Sequence, residues 1–92
     1  MTKVYVGDIG TEIILDTLVD ITSATSVSIK ARKPDGSTVT WSGAVYGGTS
    51  IRYVSQTNDL DMDGVWSLQG HVTSPAWNGS SEIVELQVYP LV

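Results

Sequence analysis

The densest set of side chains that could bind a ligand is the acidic segment Asp59-Leu60-Asp61-Met62-Asp63-Gly64. Its carboxylates, on Asp59, Asp61 and Asp63, stand at every second position before a glycine, which matches the opening of a calcium-binding loop. The complete motif also needs a bidentate glutamate at its twelfth position, which is Gly70 in this chain. The segment therefore indicates an acidic turn without a metal, and the three aspartates stay as weak candidates for one.

His71 is the one histidine of the chain and so the first candidate for a general base. A hydrolytic triad needs a base, a nucleophile and an orienting acid that meet in space. His71 is predicted to lie in the middle of a strand, on the face opposite Trp66, with only serine, threonine and glutamine near it in sequence. This favours an exposed or partner-facing strand residue. With no phosphate loop or cofactor fingerprint in the chain, we predict a protein that is not an enzyme and needs no cofactor.

Large aromatic and apolar side chains outside the predicted core are the candidates for partner binding. Trp77 stands beside Asn78-Gly79 in a predicted turn, where it would cap the end of the fold or anchor a partner or a sugar ring. Ile83 and Tyr89 fall on the face of the last predicted strand that should point outward. We therefore predict Trp77, Ile83 and Tyr89 as partner-binding residues.

Length and composition bound the classes of protein that this chain can belong to. Its 92 residues are enough for one domain, 1–92, and there is no cysteine to form a disulfide or a thiolate metal site. The net charge of −5 opposes a nucleic-acid partner, and the cluster Lys30, Arg32 and Lys33 is interpreted as a solvated strand edge. No apolar run approaches the roughly 18 residues that span a membrane, and the first residues lack the pattern of a signal peptide. We expect synthesis in a reducing cytoplasm.

The elements that would position these residues are all strands. The stretch 63–73 alternates apolar and polar residues with period two, which predicts a long central strand. Pro34-Asp35-Gly36 is the clearest turn signal and should close a hairpin. Seven to eight short strands separated by turns are typical of an all-β sandwich or barrel. The predicted inward residues are Ile13, Leu15, Val27, Ile29, Val39, Trp41, Ile51, Trp66, Leu68, Val72, Val84, Leu86 and Val88.

Three stretches together resemble small bacteriophage virion domains. They are the opening segment 3–11, the hairpin Arg32-Lys33-Pro34-Asp35-Gly36-Ser37 and the strand Gly64-Val65-Trp66-Ser67-Leu68-Gln69. They are similar to tail or baseplate accessory proteins and to the N-terminal domain of the phage baseplate upper protein family. The resemblance implies an immunoglobulin-like β-sandwich of antiparallel strands that joins parts of a virion, and it assigns no catalytic residue.

Several functions remain open on this sequence. The first is a virion structural protein that binds other virion proteins or copies of itself, either in the tail or baseplate or as a capsid decoration or cement protein. The second is a carbohydrate-binding module, with Trp41 and Trp77 as stacking platforms. The third is a calcium-dependent adhesion module. The first interpretation places the protein in the virion, after synthesis in the host cytoplasm.

Overall fold

The computed structural model describes residues 3–75 and 77–91, which form nine strands and no helix. Ala76, in the predicted last loop, lies outside the described residues, as do Met1, Thr2 and Val92. Within these described ranges no helix is long and apolar enough to cross a membrane. The strands are β1 (Val4–Tyr5), β2 (Glu12–Asp16), β3 (Ser26–Arg32), β4 (Thr38–Ser42), β5 (Ala44–Tyr46), β6 (Ser50–Val54), β7 (Gly64–Thr73), β8 (Asn78–Ser80) and β9 (Val84–Tyr89).

The strands form two sheets, which confirms the predicted all-β class. The larger sheet has the order β1-β9-β7-β3-β4, with β8 also paired to β7, and the smaller one has the order β2-β6-β5. Two details differ from the expectation of seven to eight antiparallel strands. The described residues form nine strands, and β1 pairs with β9 in the parallel sense, Val4 with Val88 and Tyr5 with Tyr89. A pairing between strands that are far apart in the sequence cannot be predicted from a local period-two pattern.

The predicted central strand is confirmed as β7. It pairs with β3 along seven residues and with β9 along five, so it has a neighbour on each side. Trp66, Leu68, Gly70 and Val72 face the core and are buried. At Gly70 the two sheets pack closely, because a β-carbon there would lie 2.8 Å from Cδ1 of Ile51 and the end of that side chain would have to shift.

Most of the predicted inward residues lie in the core, and one does not. Val84 faces the core side of the larger sheet, where it pairs with Leu68, but it is 45 % exposed, so only the expectation that it is buried was wrong. The smaller sheet ends at β2 and does not extend over this part of β9. Three predicted residues are only half-buried: Val27, Val39 and Leu86. The predicted residues that are buried are Ile13, Leu15, Ile29, Trp41, Ile51, Trp66, Leu68, Val72 and Val88, and the buried core also includes Val4, Ile21, Ala31 and Leu60.

The basic cluster is not at the edge of a sheet. The turn at Pro34-Asp35-Gly36 closes the β3–β4 hairpin as predicted, with Gly36 at a φ of +92°. Because β3 lies between β4 and β7, Lys30 and Arg32 stand on an interior strand, and the edge interpretation was wrong. Their side chains alternate with the buried Ile29 and Ala31, so they lie on the outer face of the larger sheet.

Candidate protein-binding surfaces

The three predicted partner-binding residues lie at different places along β7. Thr73, at the end of β7, pairs with Asn78, which places Trp77 at that end. Val88 pairs with Gly64, at the start of β7, which places Tyr89 at the other end. The two ends of a ten-residue strand are about 30 Å apart. The three residues predicted to bind a partner therefore cannot all contact one compact epitope.

Trp77 caps the fold and also remains accessible. A β-carbon at Gly79 would lie 2.0 Å from Cζ2 of Trp77, so the indole lies directly over that glycine. Gly79 is paired with Val72, which is buried, so the indole covers the core-facing side of β8 at its margin. Ser74 and Trp77 close the turn, because the Trp77 N–H donates to Ser74 Oγ at 3.0 Å. The exposed fraction of Trp77 is 39 %, which leaves part of the ring for a partner.

Tyr89 and Ile83 have separate surroundings. The Tyr89 ring lies 5.9 Å from the ring of Tyr5, and Nζ of Lys3 stands 4.8 Å from the centroid of Tyr89. Tyr89 is half-buried in this group, so part of its apolar surface is already used within the chain. Ile83 precedes β9 and is 64 % exposed. It borders a polar groove on the outer face of the larger sheet.

Loops at the Trp77 end are joined by hydrogen bonds. The Thr17 N–H donates to Thr49 O and the Ile21 N–H donates to Gly48 O, at 2.9 and 2.8 Å. These bonds hold the β2–β3 loop against the β5–β6 turn. The Thr25 N–H donates to Thr73 O at 2.8 Å, which ties the same loop to the end of β7. The three connections therefore form one end of the molecule.

This end exposes large apolar side chains, and we call the surface formed by Leu18, Val19, Tyr46 and Trp77 the loop end. The first three have exposed fractions of 74 %, 45 % and 50 %. Sequence reasoning found Trp77 and missed the others. The available signal was the pair Leu18-Val19 between the polar residues Thr17 and Asp20, where a connecting loop needs no large apolar side chain.

Leu18 also has an uncommon backbone conformation. Its φ is +62°, in the left-handed region that a bulky side chain rarely adopts. Its N–H donates to Oδ1 of Asp16 at 2.8 Å, and this short turn helps to hold the conformation. The result is an apolar side chain held out at the tip of a loop. Backbone strain of this kind is concentrated at binding and catalytic sites.

A second apolar surface is the groove between the two sheets, which we call the sheet groove. It has a volume of about 520 Å³ and lies between β2 and the start of β9. Its floor and walls include Ile13, Leu15, Leu68, Val84 and Leu86. The exposed Val84 is thus part of an open apolar channel between the sheets.

The carboxylates of the acidic segment do not converge on a common site for a metal ion. Asp59 accepts hydrogen bonds from the Tyr53 hydroxyl and from the Gln56 N–H, the latter at 2.7 Å. Asp61 lies 2.9 Å from Nζ of Lys33 in an ion pair. Within residues 3–75 and 77–91 no group of three or more acidic or histidine side chains is arranged to hold a metal ion. Two of the three weak candidates are therefore committed to contacts within the chain.

His71 lies in the polar groove on the outer face. Its Nδ1 is 2.9 Å from Oγ of Ser80, while its Nε2 is buried without a hydrogen-bond partner. The groove is also lined by Lys30, Arg32, Thr38, Ser67, Gln69 and Ile83, with a volume of about 210 Å³. None of these residues is a carboxylate. A hydrolytic triad would require an acid to orient the histidine. The residues that line this groove supply no such acid to the His71–Ser80 pair.

Comparison of the chain with protein-family models, with curated proteins and with solved structures finds no match.

Proposed function

We propose that this chain is a non-enzymatic structural protein of a bacteriophage particle, which binds other virion proteins through the loop end. The observation that carries the proposal is the exposure of Leu18, Val19, Tyr46 and Trp77 on loops that are hydrogen-bonded to one another. Apolar and aromatic side chains on a rigid support are the usual anchors of protein interfaces. The site in the virion would be the tail, the baseplate or a decoration of the capsid.

We also propose that the two sheets form an immunoglobulin-like sandwich, and the strand order supports this. The smaller sheet, β2-β6-β5, follows the B-E-D order of that fold. The strands β9-β7-β3-β4 of the larger sheet follow its G-F-C-C′ order. On this correspondence the loop end contains the B–C and F–G loops, which form the binding surface in immunoglobulin variable domains. This correspondence is an analogy between folds.

The virion assignment rests on the resemblance of segments 3–11, 32–37 and 64–69 to phage tail and baseplate domains. The small size of the chain also supports a role in assembly. A 92-residue domain has a large surface relative to its volume, and this surface can contact other proteins. Self-association of copies on the particle is part of the same proposal. The protein would be made in the host cytoplasm and function in the virion.

The alternative is a carbohydrate-binding or adhesion module. Its support is the exposed indole of Trp77, which could stack on a sugar ring. The other predicted platform, Trp41, is only 5 % exposed and stacks on Tyr53, with ring centroids 5.0 Å apart. Trp41 is thus not accessible to a sugar, and a single indole remains.

Mass spectrometry of purified phage particles from the organism that encodes the chain would test the proposal. We expect the protein in the particles at a fixed copy number relative to a known capsid or tail protein. Its absence from particles, together with calorimetric binding of oligosaccharides that is lost in Trp77→Phe, would favour the carbohydrate alternative. Absence from particles without sugar binding would overturn both functions.

A further inference from the structure

The sheet groove lies beside an unpaired strand edge. β2 is the last strand of the smaller sheet, so among residues 3–75 and 77–91 no strand pairs with one side of its backbone. The inward side chains Ile13 and Leu15 of this strand form one wall of the groove. Across the groove, Val84 of β9 is 45 % exposed although it faces the side of the larger sheet that carries the core. One further strand beside β2 would cover this apolar surface.

The alternation of hydrogen bonds shows which backbone groups are free. The Ser55 N–H donates to Thr11 O, and the Thr17 N–H donates to Thr49 O, each at 2.9 Å. Odd-numbered positions therefore direct their backbone groups toward β6. In an antiparallel ladder these groups alternate in direction, so the N–H and C=O groups of Glu12, Ile14 and Asp16 point away from β6. They form a regular row of donors and acceptors at the groove.

The charges around this edge favour one kind of occupant. Carboxylates of Asp8, Glu12 and Glu85 line the groove with the ammonium group of Lys3, and Asp16 stands at the end of β2. Glu12 is also paired with the guanidinium of Arg52 on β6, so four carboxylates face two cations at this edge. A second copy that paired its own β2 in antiparallel register about Ile14 would place Glu12 beside the second copy's Asp16. Like charges at directly opposed positions destabilise a strand pair. The edge is therefore better suited to a basic strand than to itself.

We propose that β2 receives an extended segment of a partner protein, in which apolar residues alternate with lysine or arginine. The backbone of the segment pairs with Glu12, Ile14 and Asp16, and its apolar side chains enter the groove over Val84 and Leu86. Its basic side chains lie on the outer face, next to Asp16 and to Glu12, which is also paired with Arg52. Strand addition of this kind takes affinity from main-chain hydrogen bonds and specificity from alternate side-chain pockets. The inference rests on the proposed function as an assembly protein and gives the chemistry of one partner.

Peptide binding by the intact protein tests this inference. The probe is an acetylated peptide that alternates lysine and valine over about seven residues, long enough to span β2 with a residue to spare at each end. Its matched control replaces every lysine with glutamate. We expect the lysine peptide to bind at least about tenfold more tightly by calorimetry. Hydrogen exchange should slow at the amides of Glu12, Ile14 and Asp16 when the lysine peptide is bound.

Two pairs of variants locate the site. Ile14→Pro removes an edge N–H without removing a bond to β6 and should weaken binding at least about tenfold, while Ile14→Thr, which keeps that N–H, should bind nearly as the parent does. Val84→Glu, on β9, should also weaken binding, whereas Val65→Glu, at an equally exposed position on β7, should not. Circular dichroism of each variant checks that the fold is retained.

Three results would overturn the inference. They are equal binding of the two peptides, binding that is unaffected by Ile14→Pro, and self-association of the protein in sedimentation that Ile14→Pro abolishes. The last would identify a second copy as the occupant. The peptide assay does not involve the loop end, so its failure leaves the proposed function standing. Conversely, absence of the protein from phage particles would leave the peptide result standing.

Discussion

The indole of Trp77 lies so close to Gly79 that a β-carbon at position 79 would be 2.0 Å from Cζ2 of the ring. This contact joins a residue of the loop end to the margin of the core, because Gly79 pairs with the buried Val72. Trp77 thus contributes to stability as well as to the exposed surface. Replacing it with alanine would change both properties together, so other residues of the loop end give clearer tests of binding.

The contact predicts that Gly79→Ala lowers the free energy of unfolding. The added methyl group must displace the indole, and overpacking of this kind costs about 1–3 kcal/mol. Chemical denaturation measures the loss, and tryptophan fluorescence should report the displaced ring. The control is Gly79→Ala in a Trp77→Ala background, where the obstructing ring is gone and the cost should be much smaller. Equal costs in the two backgrounds would mean that the contact is not what excludes a side chain at position 79.

Leu18→Asn is predicted to stabilise the isolated protein. Leu18 has a φ of +62°, and asparagine tolerates this region better than leucine does. Since the leucine side chain is 74 % exposed, little packing is lost. We expect a gain of about 0.5–1 kcal/mol in urea denaturation. Ile9→Asn, at another highly exposed apolar position, is the control and should give no comparable gain. A loss of stability in Leu18→Asn would show that the left-handed conformation carries no strain.

The raised pKa of Tyr53 predicts that the free energy of unfolding depends on pH in the alkaline range. Burial, the hydrogen bond to Asp59 and the charge of that carboxylate raise the pKa of Tyr53 to about 12. In the unfolded chain the pKa is about 10, so the unfolded state loses this proton first. The contribution of Tyr53 is therefore complete below pH 10 and is lost as pH rises toward 12.

Denaturation of Tyr53→Phe and the parent between pH 9 and pH 12 tests this dependence. The phenylalanine variant loses the bond to Asp59 and should be less stable at neutral pH, but its stability should fall less steeply with rising pH in this window. Asp59→Asn removes one of the causes of the raised pKa and should give an intermediate slope. Parallel profiles for the parent and Tyr53→Phe would contradict the assignment.

Calcium is predicted to bind the acidic segment no more tightly than about millimolar. Asp59 accepts bonds from Tyr53 and Gln56, and Asp61 is paired with Lys33, so two carboxylates would have to leave their partners to reach a common ion. Calorimetry on a metal-stripped sample measures the affinity. The variant Lys33→Met, which frees Asp61, is a useful comparison. Micromolar binding by the parent would show that the loop rearranges around the metal.

The sequence contained enough information for the class and the core, because both depend on local alternation. β7 was predicted almost to its ends, since Trp66, Leu68 and Val72 repeat with period two across a buried face. Val84 has the same local pattern but is 45 % exposed. Whether another sheet covers a strand depends on the strand order, which local alternation does not contain.

The candidate surfaces were harder to predict for the same reason. Trp77 was identified because an indole in a turn is unusual, but its separation from Tyr89 follows from the register of β7 with β8 and β9. Leu18 and Tyr46 are 28 positions apart in the chain, and the bonds from Thr17 and Ile21 to the β5–β6 turn bring their loops together. Long-range contacts of this kind need the fold.

The central claim is that the loop end holds the protein on the virion, and incorporation of variants into phage particles tests it most directly. Leu18→Ser and Tyr46→Ser remove exposed apolar groups at that end, and Ile83→Ser removes one of similar exposure on the predicted outer face before β9. Each variant is supplied during infection and its copy number per particle is measured by quantitative mass spectrometry.

We expect Leu18→Ser and Tyr46→Ser to lower incorporation at least about tenfold, as the loss of an interface anchor would, and Ile83→Ser to assemble like the parent. Denaturation of the purified variants shows whether each retains the stability of the parent. Normal incorporation of both loop-end variants would contradict the account. Loss of incorporation in Ile83→Ser alone would place the contact on the outer face of the larger sheet instead.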